Sequence, residues 1–140
     1  MAVITVEADP TERHRTAILD RLAAFNAKQA GEPAYSALAL LLRDAPQAEI
    51  RGGLWGEIYF GWLFVELLFV PEDLRGQGLG SRLLAEAEAI ARQRGCAHVW
   101  LDTFTFQAPD FYRRLGYAEF GRLGHYPNST ERIFLSKPLA

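Results

Sequence analysis

Arg75-Gly76-Gln77-Gly78-Leu79-Gly80 is the stretch on which the reading of this chain turns. Its alternating glycines stand between an apolar run ending at Val70 and an amphipathic run beginning at Gly78. A strand that enters a glycine turn opening a helix is well suited to holding phosphate. Glycines let the backbone bend and let a bulky anion approach the N–H groups directly. The start of the helix supplies N–H donors without intrahelical partners and the positive end of its dipole. Arg75 adds a charge able to make a two-pronged contact. A tight strand-to-helix turn with no ligand would carry the same glycines, so the turn alone leaves both readings open.

Spacing removes two other phosphate loops. A dinucleotide fingerprint, Gly-x-Gly-x-x-Gly, needs a third glycine where Ser81 follows Gly76 and Gly78. It would also open the first strand–helix unit of a parallel sheet, whereas this turn lies midway along the chain. A Walker loop needs Gly-Lys-Ser/Thr, and the chain has Gly80-Ser81-Arg82.

Working outward, Gly78 to Arg94 reads as a helix. Leu83, Leu84, Ala87, Ile90 and Ala91 form its apolar stripe, Arg82, Glu86, Glu88 and Arg92 are free to face water, and Gly95 ends it. Upstream, Ile50 to Tyr59 and Trp62 to Val70 are rich in aromatic and β-branched residues, which predicts two strands broken at Gly61 or one bulged strand. Tyr35 to Leu42 is strand-like, though its Ala and Leu content also suits a helix, and Asp44-Ala45-Pro46 is turn chemistry. Val3 to Glu7 reads as a first strand. Asp9 then stands as N-cap, with Pro10 in the first turn and Glu12 three residues on, ahead of Ile18, Leu22 and Phe25 at helical spacing. Downstream come a strand at Val99 to Thr103 and a short helix at Pro109 to Leu115 capped by Gly116. Strands at Ala118 to Leu123 and Arg132 to Leu135 close the pattern. The order predicts a mixed α/β sheet with helices on its faces.

Composition sets bounds on function. The 140 residues suit one domain spanning 1–140, and 49% hydrophobic with 23% charged residues describes a folded globular chain. A net charge of −2 lacks the basic surplus of a protein built to hold nucleic acid. The N-terminus has no signal-peptide pattern, and the apolar segment from Tyr59 to Val70, interrupted by Gly61 and Glu66, is too short to span a bilayer. The single Cys96 cannot form an internal disulfide and reads as a buried core thiol, which points to a cytoplasmic, reducing setting. His14, His98 and His125 are scattered without metal-ligand spacing, so no metal site is expected.

Read as Arg-x-x-Gly-x-Gly at Arg75, Gly78 and Gly80, the turn gains meaning from its context. Leu68-Phe69-Val70-Pro71-Glu72-Asp73-Leu74 precedes it and Ser81-Arg82-Leu83-Leu84 follows it. A second segment, Ala108-Pro109-Asp110-Phe111-Tyr112-Arg113-Arg114-Leu115-Gly116-Tyr117, stands downstream. In these two segments, and from roughly Leu38 to the end, the chain resembles the GNAT superfamily of N-acetyltransferases. The resemblance implies a single-domain, mostly antiparallel sheet of six to seven strands flanked by helices. It also implies acetyl-coenzyme A as cosubstrate and transfer of its acetyl group to a primary amine of a small molecule or peptide.

By that resemblance the strand before the turn and the next strand splay apart around the pantetheine arm. Phe69 and Val70 would offer backbone groups to the arm, while Arg75, Gly76, Gln77, Gly78, Leu79, Gly80 and Ser81 would hold the pyrophosphate. Tyr112 is the candidate general acid. Glu66 is the candidate base, directly or through water. On strand alternation Glu66 shares a face with Phe64, Leu68 and Val70, where a carboxylate needs a partner, a solvated cleft or a raised pKa. Asp102 and Glu57 are candidates for binding a cationic acceptor. Thr105 stands where many relatives have Asn, and Gln107 is a possible replacement. An acyl-coenzyme A sensor or docking module would keep the glycine turn without needing Tyr112 or Glu66. The aromatic content of the C-terminal strands would permit a homodimer; no membrane partner is expected.

Overall fold

Phe60 and Gly61 both lie in the left-handed region, at φ 51° and 78°. A two-residue turn with positive φ at both positions matches the twist of a β-hairpin. Strands β2 (Gly52–Tyr59) and β3 (Trp62–Phe69) therefore pair antiparallel, with Tyr59 opposite Trp62. The break at Gly61 is a hairpin and not a bulge. The computed structural model describes residues 1–140, which fall into two compact units, 1–33 and 34–140.

The larger unit holds one six-stranded sheet. To the hairpin it adds β1 (Ser36–Leu42), β4 (His98–Phe104), β5 (Ala118–Tyr126) and β6 (Thr130–Pro138), in the order β1-β2-β3-β4-β6-β5. Every neighbouring pair is antiparallel except β3 with β4, which is parallel. Helix α2 (Leu79–Gln93) makes the crossover between that parallel pair, and α3 (Pro109–Arg114) joins β4 to β5. Gly116, at φ 95°, lets the chain reverse after α3, and the Tyr117 N–H closes on the Tyr112 carbonyl at 3.1 Å.

The core lies between α2 and one sheet face. Leu83, Leu84, Ala87 and Ala91 pack there with Leu54, Ile58, Leu63, Val65, Val99, Leu101, Ile133 and Leu135. Cys96 is buried at the same core, and burial pushes its thiol pKa up. Glu88 departs from its expected place in water. It is buried, accepting hydrogen bonds from the Tyr117 hydroxyl at 2.8 Å and Lys137 Nζ at 2.9 Å. It stands one turn beyond Leu84, so it falls on the inward face, and a buried carboxylate persists only with such partners. The triad ties α2 to the start of β5 and to β6.

In residues 1–33 the expected strand at Val3 to Glu7 is absent, and residues 1–11 adopt neither helix nor strand. Strand propensity alone leaves backbone groups without ladder partners. Helix α1 (Glu12–Ala30) forms as its periodicity predicts, but it starts from Thr11, not Asp9. The Thr11 N–H donates to His14 Nδ1 at 3.0 Å, so His14 satisfies the N-cap amide. No residue of α1 is buried, and no helix of the protein is long and apolar enough to cross a membrane.

Candidate active site

The parallel ladder between β3 and β4 is short. It runs from Trp62 opposite His98 to Val65 opposite Leu101 and then stops, although β3 continues to Phe69 and β4 to Phe104. Glu66 marks the stop. On the other side of β3, Val65 pairs with Gly56 and Leu67 with Trp55, so Glu66 has no counterpart on β2 and forms a β-bulge. A bulge bends the strand that carries it and reverses the alternation beyond it. Val65 and Leu68 consequently face the core side, while Phe64 and Leu67 face the other. This corrects the simple alternation, which put Glu66 together with Phe64, Leu68 and Val70. Phe64 in fact lies on the sheet face opposite Leu68 and Val70, which pack against the core.

A cleft of about 720 Å³ opens where the strands part. Its walls are Val65 to Phe69 on β3 and Val70 just beyond it, Leu101 to Thr103 on β4, the turn at Arg75, Gly76 and Gly78, the first turn of α2, and Phe111 and Tyr112 of α3. The unpaired flank of β3 leaves backbone donors and acceptors facing the gap, where the amides of an extended ligand can pair with them.

The glycines of the turn serve two purposes. Gly76 and Gly78 have φ 81° and 76°, and a β-carbon at either would meet nothing within 4 Å, so their requirement is conformational. At Gly80 a β-carbon would sit 3.1 Å from Phe111 Cζ, so this glycine permits the close approach of α2 and α3. Gly78 is the N-cap of α2, no side chain caps that end, and no acidic residue occupies its first turn. The N–H groups of Leu79, Gly80 and Ser81 are thus available to an anion. Arg75 Nε donates to the Val70 carbonyl at 2.9 Å, with the guanidinium 5.9 Å from the centre of the Phe69 ring. That tie holds the arginine at the mouth of the cleft. Arg51 steadies the approach to the turn by gripping Asp73 at 2.6 and 2.7 Å, which holds the Asp73 carboxyl below the usual carboxylate range.

Tyr112 lines the cleft, packed edge-on against Phe111 and Tyr117 with centroids 5.1 and 6.0 Å away. Burial, and secondarily the negative charge of Asp102, push its phenol up to about 12. Glu66 is exposed and has no ion-pair partner. Asp102 also reaches the cleft, but Arg132 grips both its oxygens at 2.8 and 2.9 Å. Arg132 comes from β6, thirty positions away in sequence, and no local pattern could have foretold the pair. Two expected site residues stand apart: neither Glu57, on β2, nor Gln77, in the turn, is on the cleft wall.

The segment before α3 also proves to be built for position. Gln107 Oε1 accepts from the Phe104 N–H at 2.7 Å and the Thr103 hydroxyl at 2.9 Å. Thr105 extends the sheet, its N–H donating to the Glu131 carbonyl at 2.9 Å and its hydroxyl accepting from the Glu131 N–H at 3.2 Å. Thus Gln107 fastens the loop that carries Tyr112 into place.

A parallel pair split at a bulge, with a helix N-terminus on the wall of the gap, makes a cleft suited to an extended ligand that carries phosphate. Residues 5–117 match the Acetyltransferase (GNAT) family. An acetyltransferase of Agrobacterium fabrum is 40% identical over 121 residues, covering 86% of this chain and 88% of that protein. Blasticidin-S acetyltransferase of Streptomyces morookaense is 45% identical over 94 residues, 66% of this chain and 69% of that protein. A crystal structure of an Agrobacterium tumefaciens protein assigned as an acetyltransferase superposes with a TM-score of 0.88 at 37% identity, covering 99% of both chains. The chain belongs to the GNAT family of acetyltransferases, with acetyl-coenzyme A as its cosubstrate.

Proposed function

We propose that the enzyme transfers the acetyl group directly to a primary amine of a small molecule, with Glu66 and Tyr112 serving the two ends of the reaction. The observation that carries this reading is that the split of β3 from β4 brings both residues to one cleft. Phe69 and Val70 line the gap for the pantetheine arm, and the N–H groups of Leu79, Gly80 and Ser81, with Arg75, would hold the pyrophosphate.

An alkyl ammonium has a pKa of about 10 and must lose a proton before its nitrogen can attack. Glu66, exposed at the bulge, takes that proton through water. The amine lone pair forms the new C–N bond, the nitrogen gives up its second proton to solvent, the tetrahedral carbon collapses, and the C–S bond breaks with its electron pair leaving on sulfur. Tyr112 remains protonated at every working pH because its phenol sits at about 12. A buried phenol is a weaker acid than a thiol, so complete transfer of its proton to sulfur is uphill. Tyr112 therefore acts on the acid side as a hydrogen-bond donor to the growing thiolate, and solvent protonates the released sulfur. Asp102, with its charge met by Arg132, shapes the acceptor end; Glu66 is left as the carboxylate free to draw in a cationic amine.

Thiol release with acetyl-coenzyme A and a panel of amines tests the reading. Tyr112→Phe is expected to lower kcat about 100-fold, within the range for loss of one hydrogen-bond donor to a developing negative charge, with acetyl-coenzyme A affinity nearly unchanged by calorimetry. Glu66→Gln should depress turnover most at low pH, where amine deprotonation limits. Wild-type turnover in both variants would remove these roles.

A further inference from the structure

The buried carboxylate of Glu88 takes no part in the acetyl-transfer steps above, and its neighbours along α2, Leu84 and Ala91, belong to the apolar core. Replacing a buried ion pair by apolar side chains of similar volume often leaves stability unchanged or raises it, so stability alone gives no reason for a charge here. What the cluster around Glu88 supplies is direction. The Tyr117 hydroxyl donates to one of its oxygens at 2.8 Å and Lys137 Nζ to the other at 2.9 Å. The Lys137 ammonium also lies 5.4 Å from the centre of the Tyr117 ring. Its stem passes under Gly116, 3.4 Å from where a β-carbon would stand. The Tyr117 ring is thus held both at its hydroxyl and at its face.

Tyr117 is tied in turn to Tyr112. Its N–H closes on the Tyr112 carbonyl at 3.1 Å, and the two rings meet edge-on with centroids 6.0 Å apart. A second ring, Phe111, meets Tyr112 edge-on at 5.1 Å and lies against α2 at Gly80. Both rings that border Tyr112 are therefore fastened to α2, one at Gly80 and one at Glu88, about 12 Å apart along the helix axis. The N-terminus of the same helix carries the uncapped N–H groups suited to the pyrophosphate. A single helix thus bears the anion site and both anchors of the phenol.

We propose that Glu88 and Tyr117 are positioning residues for acetyl transfer: held by Lys137, they fix the Tyr112 ring on the cleft wall so that its hydroxyl meets the thioester sulfur. The inference rests on Tyr112 as the donor to that sulfur, and its test separates the two roles.

Tyr117→Phe keeps the ring and removes only its bond to Glu88. It is expected to lower kcat about 10-fold by loosening Tyr112. KM for acetyl-coenzyme A should stay within about two-fold of wild type, since the helix N-terminus is untouched. The decisive measurement is the same substitution made in Tyr112→Phe. With no Tyr112 hydroxyl left to position, kcat should fall no further than in Tyr112→Phe alone. An equal fall in both backgrounds marks a general structural role and overturns the proposal. Wild-type kcat in Tyr117→Phe, or a loss expressed in KM alone, overturns it too. Wild-type kcat in Tyr112→Phe overturns the role of Tyr112 itself, and the positioning with it. Should Tyr117→Phe fail to fold, Glu88→Gln leaves all three rings in place and repeats the cycle, and its effect on kcat should likewise vanish beside Tyr112→Phe.

Discussion

The two halves of the β3–β4 pair make an instructive contrast. From Trp62 to Val65 the strands are laddered, and their inward side chains, Leu63, Val65, Val99 and Leu101, are among the most buried in the protein. From Glu66 onward the same two strands part, and their residues line a cleft. A single extra residue separates the regimes. Before it the backbone satisfies itself; after it the backbone is left for a ligand. The difference teaches that this site is an interruption of the fold placed next to one of its most buried parts, as a preorganised site requires.

Removing the interruption should have the largest effect. Deletion of Glu66 restores continuous alternation and allows β3 to continue beside β4. It is expected to lower kcat/KM by a factor of at least about 1,000, through loss of both the proposed base and the cleft. Steady-state kinetics and acetyl-coenzyme A calorimetry check it, and a deletion variant that keeps its cofactor affinity would show that the bulge does not hold the strands apart.

A cavity in the laddered half should read out differently. Leu63→Ala is expected to cost about 3 kcal/mol of stability, since Leu63 has no exposed surface. Urea unfolding measures that loss. At a temperature where both proteins are folded, KM for acetyl-coenzyme A should stay near wild type; a large rise would show that the halves are coupled more closely than their ladders imply.

The smallest effect lies at alkaline pH. Burial raises the Tyr112 phenol from its ordinary value near 10 to about 12, and Tyr117 moves further in the same direction. The folded state thus favours the protonated phenols. Their stabilisation is complete below the unfolded value of about 10 and is lost as pH rises from there through the folded values. Stability measured in urea should fall between pH 10 and 12, and Tyr112→Phe should flatten that fall. An identical slope in the variant would place the titration elsewhere.

Much of the fold was legible because its signals are local. The stripe on α2, the cap at Gly116 and the hydrophobic runs of β2, β3 and β4 each depend on residues within a few positions of one another. The misreadings share a different origin. Val3 to Val6 has the composition of a strand, but a strand exists only with a partner. Glu88 passed for a surface residue because its partners, Tyr117 and Lys137, come from distant segments. The partner of Asp102 was equally out of reach of local reading, because Arg132 arrives only when β6 pairs with β4.

By itself the sequence determined the donor side of this enzyme. Glycine spacing dictates a turn that only a few backbone conformations allow, and a helix N-terminus is an anion site wherever it forms. The tertiary structure decided how the carboxylates and aromatic residues stand around the cleft. Which carboxylate is free, which face Phe64 takes beyond a bulge, and whether Glu57 reaches the cleft all depend on strand register. Register is a property of paired strands, since a slip of one residue exchanges the two faces while leaving every local preference intact.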